Sequence, residues 1–327
     1  MNLIRNFTLL IVIFATLTGC KTSNDSKIIK LGHGLDISHP VHQSMIYMGE
    51  LLEQKSMGKL KIKIYPNQQL GTERELVELL QIGSVDITKV SASVLENFAP
   101  SYSVLSVPFI FNNEQHRFNV LEGEIGQEIL DDGVDFWFQG LCFYDAGSRS
   151  FYTKDKPVYA PSDLDGQKIR VMESQTAMTM VRSLGGSPTP ISFGELYTAL
   201  QQGVVDGAEN NPPSFYSSRH YEVSKYYTID EHTSVPDVLI VSTHIWDKLT
   251  PKEQNWLQSA ATESAEYQKK LWKEASDEAL LKVKEAGVEV IYPDKKLFQN
   301  EVQEMYEMYK QDPLKRDLVN RIQQTEG

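Results

Sequence analysis

Two stretches of the chain repeat each other at an offset of 120 residues: TERELVELLQIGSVD, Thr72 to Asp86, and SFGELYTALQQGVVD, Ser192 to Asp206. Each opens on a hydroxyl side chain, Thr72 or Ser192, with a glutamate three positions later, Glu75 or Glu195. That spacing is the capping box of a helix start: the hydroxyl accepts from the N3 amide and the N3 carboxylate accepts from the cap amide. Leu76, Leu79 and Leu80 form an apolar stripe on the first helix; Leu196, Ala199 and Leu200 form one on the second. Gly83 and Gly203 stand where a left-handed residue ends each helix. A strand then begins, at Val85–Ile87 and at Val204–Asp206. Cap, stop and Val-Asp pair recur at equal spacing, which predicts two structurally related lobes.

The segments around the repeat alternate strand and helix. IIKLGHGLD (Ile28–Asp36) reads as a strand entering a loop, His42 to Lys55 as a helix, and KLKIKIYP as an alternating strand. In LDGQKIRVMES a turn leads into a short strand, with Ile169 and Val171 on one face and Lys168, Arg170 and Met172 on the other. This alternation predicts α/β lobes. One long helix supports two lobes independently. Thr250-Pro251-Lys252-Glu253 joins a capping box to a proline at N1, and no further proline or glycine intervenes before Gly287. Roughly 35 helical residues reach about 50 Å, longer than one small domain. Such a helix runs across both lobes.

The N-terminus is processing signal rather than fold. MNLIRNFTLLIVIFATLTGC carries one positive charge, Arg5, then an apolar run from Phe7 to Leu17, which reads as a signal peptide. Its end, Leu17-Thr18-Gly19-Cys20, resembles a bacterial lipobox, implying cleavage before Cys20 and acylation of its thiol. The polar KTSNDSK that follows suits a tether. Cys142 is the only other cysteine, so a lipidated Cys20 leaves no intrachain disulfide. A net charge of −12 argues against nucleic acid as a partner. The expected body is soluble and held near a membrane by one lipid anchor.

Catalytic patterns are weak. GxSxG, HExxH, CxxC and a glycine-rich phosphate loop are absent from the sequence. His39 and His42 have near-helical spacing but no evident third ligand, so no metal site is expected. Cys142, in the apolar FQGLCFY, reads as core. Glu73 with Asp206 is the one carboxylate pair an enzyme could use, yet Asp206 matches Asp86 in the repeat and so suits a structural role. Two arginines stand out, Arg149 in DAGSRSFYT and Arg170 in GQKIRVMES. A guanidinium on a strand at a lobe edge suits bidentate capture of a carboxylate.

At Arg170 a family resemblance becomes specific. KIRV, GGSPTPISFGELYTALQQGVVDGAEN and HYEVSKY look like the core signature of TRAP-transporter solute-binding proteins. YPNQQLGTERELVELLQIGSVDI and FAPSYSVLSVPFIF match the same family's first lobe. The resemblance runs from about Ile28 to the C-terminal helices. It implies an α/β, two-lobed periplasmic-binding-protein fold with a hinge, one helix across both lobes, and delivery of an organic acid to a membrane permease. The implied division puts residues 1–20 in the signal peptide, 21–146 with about 234–275 in lobe I, and 147–233 with about 276–327, C-terminal helices included, in lobe II. Carried over by motif, Arg170 forms the main salt bridge to the substrate carboxylate and Arg149 approaches it. Asn210 completes the anion site, Phe193 packs over the ligand and Glu73 faces its polar end. The repeat itself groups Thr72–Glu73, Lys89–Ser91, Ser192–Phe193 and Asn210–Asn211 at helix starts and strand ends, where α/β folds bind ligands. Glu73 also suits the dipole at its helix start.

The chain departs from the family's usual motif with Asn-Asn-Pro-Pro at 210–213, and adds HGLDISHPVH and DEHTSVPDV. This combination looks like the branch that binds sugar acids, uronates such as glucuronate and galacturonate above all. Asn210, Asn211, Glu73, Lys89 and His33 are then the expected hydroxyl partners, with Ser91 a further ligand-binding candidate. Pro212 and Pro213 are expected to stiffen a turn. A C4-dicarboxylate would need a second cation, for which Lys89 or Arg74 remain candidates; sialic acid is a third ligand class. A ligand-sensing receptor subunit of the same fold is the alternative role. The resemblance implies a monomeric periplasmic binder without enzymatic activity, cofactor or metal.

Overall fold

The computed structural model describes residues 26–327. The expected signal peptide and Cys20 lie outside the described residues. Eleven strands are present among them: β1 (Lys27–Gly32), β2 (Leu60–Tyr65), β3 (Ile87–Ser91), β4 (Phe138–Tyr144), β5 (Arg149–Thr153), β6 (Lys168–Val171), β7 (Ser187–Pro190), β8 (Gly207–Asn210), β9 (Tyr226–Thr233), β10 (Asp237–Ser242) and β11 (Glu289–Ile291). They form a five-stranded sheet, β2-β1-β3-β10-β4, and a six-stranded sheet, β11-β9-β5-β8-β6-β7.

The repeat is visible in the topology. In one lobe β1 pairs in parallel with β2 and β3; in the other β6 pairs in parallel with β7 and β8. A helix crosses over between each pair of strands, as parallel pairing requires. The equivalence reaches single atoms. Asp86 Oδ2 accepts from the Lys30 amide at 2.7 Å, and Asp206 Oδ2 from the Lys168 amide at 2.8 Å. Both carboxylates brace the joint between neighbouring strands, so Asp206 is structural and is not paired with Glu73. Gly83 and Gly203 end their helices at φ +73 and +72, as the stop signal requires.

The helix starts differ. Thr72 makes the full capping box with Glu75. Ser192 does not: Phe193–Glu195 is a 3-10 turn, and the Ser192 hydroxyl donates to the Glu195 carboxylate at 2.6 Å without accepting a backbone N–H. The tighter turn delays the α-helix to Leu196–Gln202.

Next to each parallel trio lies an antiparallel strand contributed by the other half of the chain. β5 follows β4 of the first sheet yet pairs with β8 and β9 of the second. β10 follows β9 of the second sheet yet sits between β3 and β4 of the first. The chain therefore crosses between sheets at 145–148 and 234–236.

The helix Pro251–Glu285 is continuous, with the Thr250–Glu253 capping box and Pro251 at its start. Leu257, Ala260 and Ala261 pack with Val41, Met45 and Leu52 in the first lobe. Thirty ångströms or so further along, by about 1.5 Å per residue, Val283 packs with Leu196, Leu200 and Phe215 in the second. Cys142 is core: its sulfur lies 3.5 Å from the Ala261 carbonyl, and burial pushes its thiol pKa well up. The last helix departs from expectation. Phe298, Val302 and Met305 join the second lobe, but Pro313–Gln324 returns to the first. Its Leu318, Val319 and Ile322 complete the apolar cluster of Tyr102, Val120 and Ile129, so the stripe on this helix finds its partner there. No described helix is long and apolar enough to cross a membrane.

Candidate functional site

A cavity lies between the lobes where β3 and β6 end and where the helices after Thr72 and Ser192 begin. Arg170, Arg149, Asn210, Asn211, Glu73, Lys89, Ser91 and Phe193 all line it. His33 does not. Its ring is buried, with Nδ1 accepting from the Leu35 amide at 3.1 Å and Nε2 donating to His42 Nδ1 at 2.9 Å. Burial is the main cause that lowers its pKa to about 2, so the pair is neutral.

Arg170 is the exception among the buried charges. Its side chain is 2 % exposed on β6. Nε donates to the Ile191 carbonyl at 2.7 Å, while Nη1 is buried without a hydrogen-bond partner. No carboxylate lies within ion-pair distance of it among the described residues. Burial accordingly pulls its pKa below the usual guanidinium value, against the opposing pull of Tyr152 and Glu209. A guanidinium stays charged through such a shift.

Arg149 is already committed. Its Nε donates to Glu209 Oε2, its Nη2 to Glu209 Oε1 at 2.9 Å and to the Glu209 carbonyl at 2.8 Å, and its Nη1 to Asn210 Oδ1 at 2.9 Å. Burial works against the Glu209 carboxylate, but Arg149 and His232 outweigh it and hold its pKa down near 2. Arg149 thus acts first as a fixed strut that orients Asn210. Asn210 Oδ1 also accepts from the Asn211 amide at 2.9 Å, which leaves its Nδ2 as the donor for a ligand. Asn211 caps a helix: its Oδ1 accepts from the Ser214 amide at 2.8 Å, with Pro212 at N1 of Pro212–Ser217. The Asn-Asn-Pro-Pro run is therefore a strand end followed at once by a helix start, not a stiffened turn.

The first-lobe wall carries the opposite charge balance. Lys89 Nζ sits 2.7 Å from Glu73 Oε1 and 3.1 Å from Asp237 Oδ1. Burial disfavours its charge, yet the two carboxylates outweigh burial and raise its pKa. Glu73 Oε2 further accepts from the Ser91 amide at 3.3 Å. One cation thus faces two carboxylates. Phe193, from the second lobe, lines the cavity and packs against the apolar cluster of the first.

Sequence reasoning missed Glu209 and Asp237. Glu209 lies inside the motif, one residue before Asn210, but its pairing with Arg149 follows from the β5–β8 register. Asp237 meets Lys89 through the β3–β10 pairing. His39, weighed in the sequence only as a metal ligand, instead has its Nε2 3.2 Å from Ser214 Oγ across the lobes. Two further contacts shut the cleft: Asn97 Nδ2 donates to the Glu173 carbonyl at 2.6 Å, and the Thr176 amide to Glu96 Oε1 at 3.0 Å. Among the described residues no group of three or more His, Cys, Asp or Glu is placed to hold a metal.

Two related α/β lobes closed over a buried, uncompensated guanidinium define a protein that captures an anionic solute between its lobes. The model of DctP, family 7 of the bacterial extracellular solute-binding proteins, matches residues 31–312. The chain belongs to this family, the solute-binding proteins of TRAP transporters. Protein YiiZ of Salmonella typhimurium is 41% identical over 303 residues, 92% of each chain. A TRAP periplasmic solute-binding protein of a Bradyrhizobium species, solved with α/β-D-galacturonate, superposes with TM-score 0.90 at 40% identity, covering 91% of this chain and 100% of that one. Another, from Anaerococcus prevotii with α/β-D-glucuronate, gives 0.89 at 38%, covering 92% and 98%.

Proposed function

We propose that the protein captures a uronate, D-glucuronate or D-galacturonate, and delivers it to the membrane permease of a TRAP transporter. The carrying observation is Arg170, a cation that lines the cleft, is buried, and has a side-chain nitrogen, Nη1, without a hydrogen-bond partner among the described residues. A carboxylate there supplies the missing counter-charge through charge-assisted bonds. Asn210 Nδ2 adds a donor beside it, and the Glu73–Lys89–Asp237 cluster offers donors and acceptors to hydroxyls at the far end. The solved relatives that hold galacturonate and glucuronate support the choice of sugar acid. The charge balance disfavours a C4-dicarboxylate. Its second carboxylate would need a free cation, but Lys89 already serves two carboxylates and Arg74 pairs with Glu78 at 3.2 Å.

Substrate enters an open form, bridges the lobes and shifts the population to the closed one. Lobe I comprises residues 21–146 and about 234–275, together with the last helix; lobe II comprises 147–233 and about 276–312. Residues 1–20 serve as a signal peptide, and a monomer is anchored outside the cytoplasm by lipid on Cys20. Calorimetric titration with D-glucuronate, D-galacturonate, sialic acid and succinate tests the reading. Uronates are expected to bind most tightly; tightest binding of succinate or sialic acid overturns the substrate class. Loss of uronate uptake on deleting the protein separates transport from sensing.

A further inference from the structure

Two residues lining the cleft carry a buried side-chain donor without a hydrogen-bond partner among the described residues. One is Arg170 Nη1 in the second lobe; the other is Gln68 Nε2 in the first. A buried donor left unpaired is costly, and such groups mark places where something else binds. Arg170 takes the carboxylate. Gln68 stands on the opposite wall with no assigned use.

The local structure fixes Gln68 in place. Asn67 and Gln68 both adopt left-handed backbone, at φ +54 and +57, a region non-glycine residues seldom occupy. Their amides hold the strain by donating to Leu35 O at 3.0 Å and His33 O at 3.1 Å. Such conformations persist where the surroundings impose them, and they concentrate at ligand clamps. The side chain then runs between two glycines. A Cβ on Gly34 would lie 3.4 Å from Gln68 Cγ, and one on Gly194 would lie 2.4 Å from Gln68 Oε1. Gly194 belongs to the second lobe, directly after Phe193. Closure therefore brings bare backbone against the Gln68 carbonyl and clamps the amide between the two glycines at the cavity wall.

We propose that Gln68 is a specificity-determining residue that donates from Nε2 to an oxygen of the bound sugar acid, a ring hydroxyl remote from the carboxylate, in the closed form. This rests on the sugar-acid reading above. Arg170 would hold the charge that all organic acids share, and Gln68 would test for an oxygen at a set distance from it.

The test compares wild type, Gln68→Met, Gly194→Ala and Arg170→Ala by calorimetric titration with D-glucuronate and D-galacturonate, and by ligand-free thermal unfolding. Methionine keeps the length and loses the amide. Gln68→Met is expected to weaken uronate binding roughly tenfold to a hundredfold, as a ligand oxygen is left unpaired. Its ligand-free melting temperature should equal or exceed that of wild type, because an unpaired polar group has gone. Binding within twofold of wild type, or a ligand-free melting temperature that falls with the affinity, overturns the assignment. Should Gln68→Met fail to fold, Gly194→Ala serves instead: its methyl displaces the Gln68 amide, and unchanged affinity then overturns the assignment. Failure of wild type to bind any uronate would overturn the sugar-acid reading and this inference together. Uronate binding lost in Arg170→Ala but intact in Gln68→Met overturns the Gln68 role alone.

Discussion

Arg170 and Lys89 are both buried cations lining one cavity, and their removal should have very different effects on stability. Arg170→Met deletes a guanidinium whose Nη1 is unpartnered, relieving a buried unsatisfied group worth about 1–3 kcal/mol. It also breaks the 2.7 Å bond to the Ile191 carbonyl, a loss of about the same size. The ligand-free protein should therefore stay within about 1 kcal/mol of wild-type stability. Lys89→Met strands the Glu73 and Asp237 carboxylates, 2.7 and 3.1 Å from the lost ammonium. Breaking a buried ion pair from one side costs about 3–5 kcal/mol. For binding, Arg170→Met removes the charge-assisted partner of the substrate carboxylate, about 2–5 kcal/mol. That corresponds to a loss of about 30-fold to 5,000-fold. Urea unfolding without ligand and calorimetric titration with D-glucuronate measure the two quantities. If Arg170→Met destabilised the ligand-free protein as much as Lys89→Met, Arg170 would have a partner in the empty cleft and the reasoning would fail. Wild-type affinity in Arg170→Met would refute the clamp directly.

Asn211→Ala removes the cap of Pro212–Ser217 and should lower stability by about 1 kcal/mol in urea unfolding; an unchanged midpoint would deny the cap its role. Stability should also decline on both sides of about pH 6.5. His232 is buried, which lowers its pKa, but Asp230 and Glu209 more than reverse this and raise it to about 9. Its contribution is complete below the unfolded value of 6.5 and is lost as pH rises through 9. His33 and His39 are lowered to about 2 and 3, chiefly by burial, so the unfolded chain takes up protons first as pH falls below 6.5. Melting temperature against pH checks this, and His232→Gln should flatten the alkaline limb only. Cys20→Ser should move the protein from the membrane to the soluble fraction; retention in the membrane fraction would exclude lipid at that residue.

The readable parts of this molecule were local ones. The capping box at Thr72, the two stop glycines and the alternation around Arg170 each depend on a few neighbouring residues, and each appears in the fold. Asp86 and Asp206 were placed correctly because the repeat compares one local joint with another. The unreadable parts are pairings fixed by register between distant strands. Arg149 meets Glu209 across 60 residues, and Lys89 meets Asp237 across 148. Both arginines looked alike in sequence as free carboxylate ligands. Only the strand pairing distinguishes the one already neutralised from the one left open. His33 failed for a related reason: polar residues near a cleft read as ligand contacts, while a histidine pair buried behind it carries the same composition. The final helix shows an amphipathic stripe in sequence, but the stripe does not name the surface that it covers.

The exchange of β5 and β10 between the sheets also governs the order in which the molecule can be completed. β10 lies between β3 and β4 and holds them together, yet it is made about 95 residues after β4 (Phe138–Tyr144 against Asp237–Ser242). A nascent chain that has reached β4 has two unpaired strand edges facing the gap where β10 belongs, and exposed edges invite wrong partners. Most multidomain chains finish the N-terminal unit first as synthesis proceeds. Here that sequence is unavailable, because the first lobe is sealed by a strand that arrives through the second. Truncation at the crossover near residue 146 would consequently yield an open half-sheet rather than a smaller binding domain.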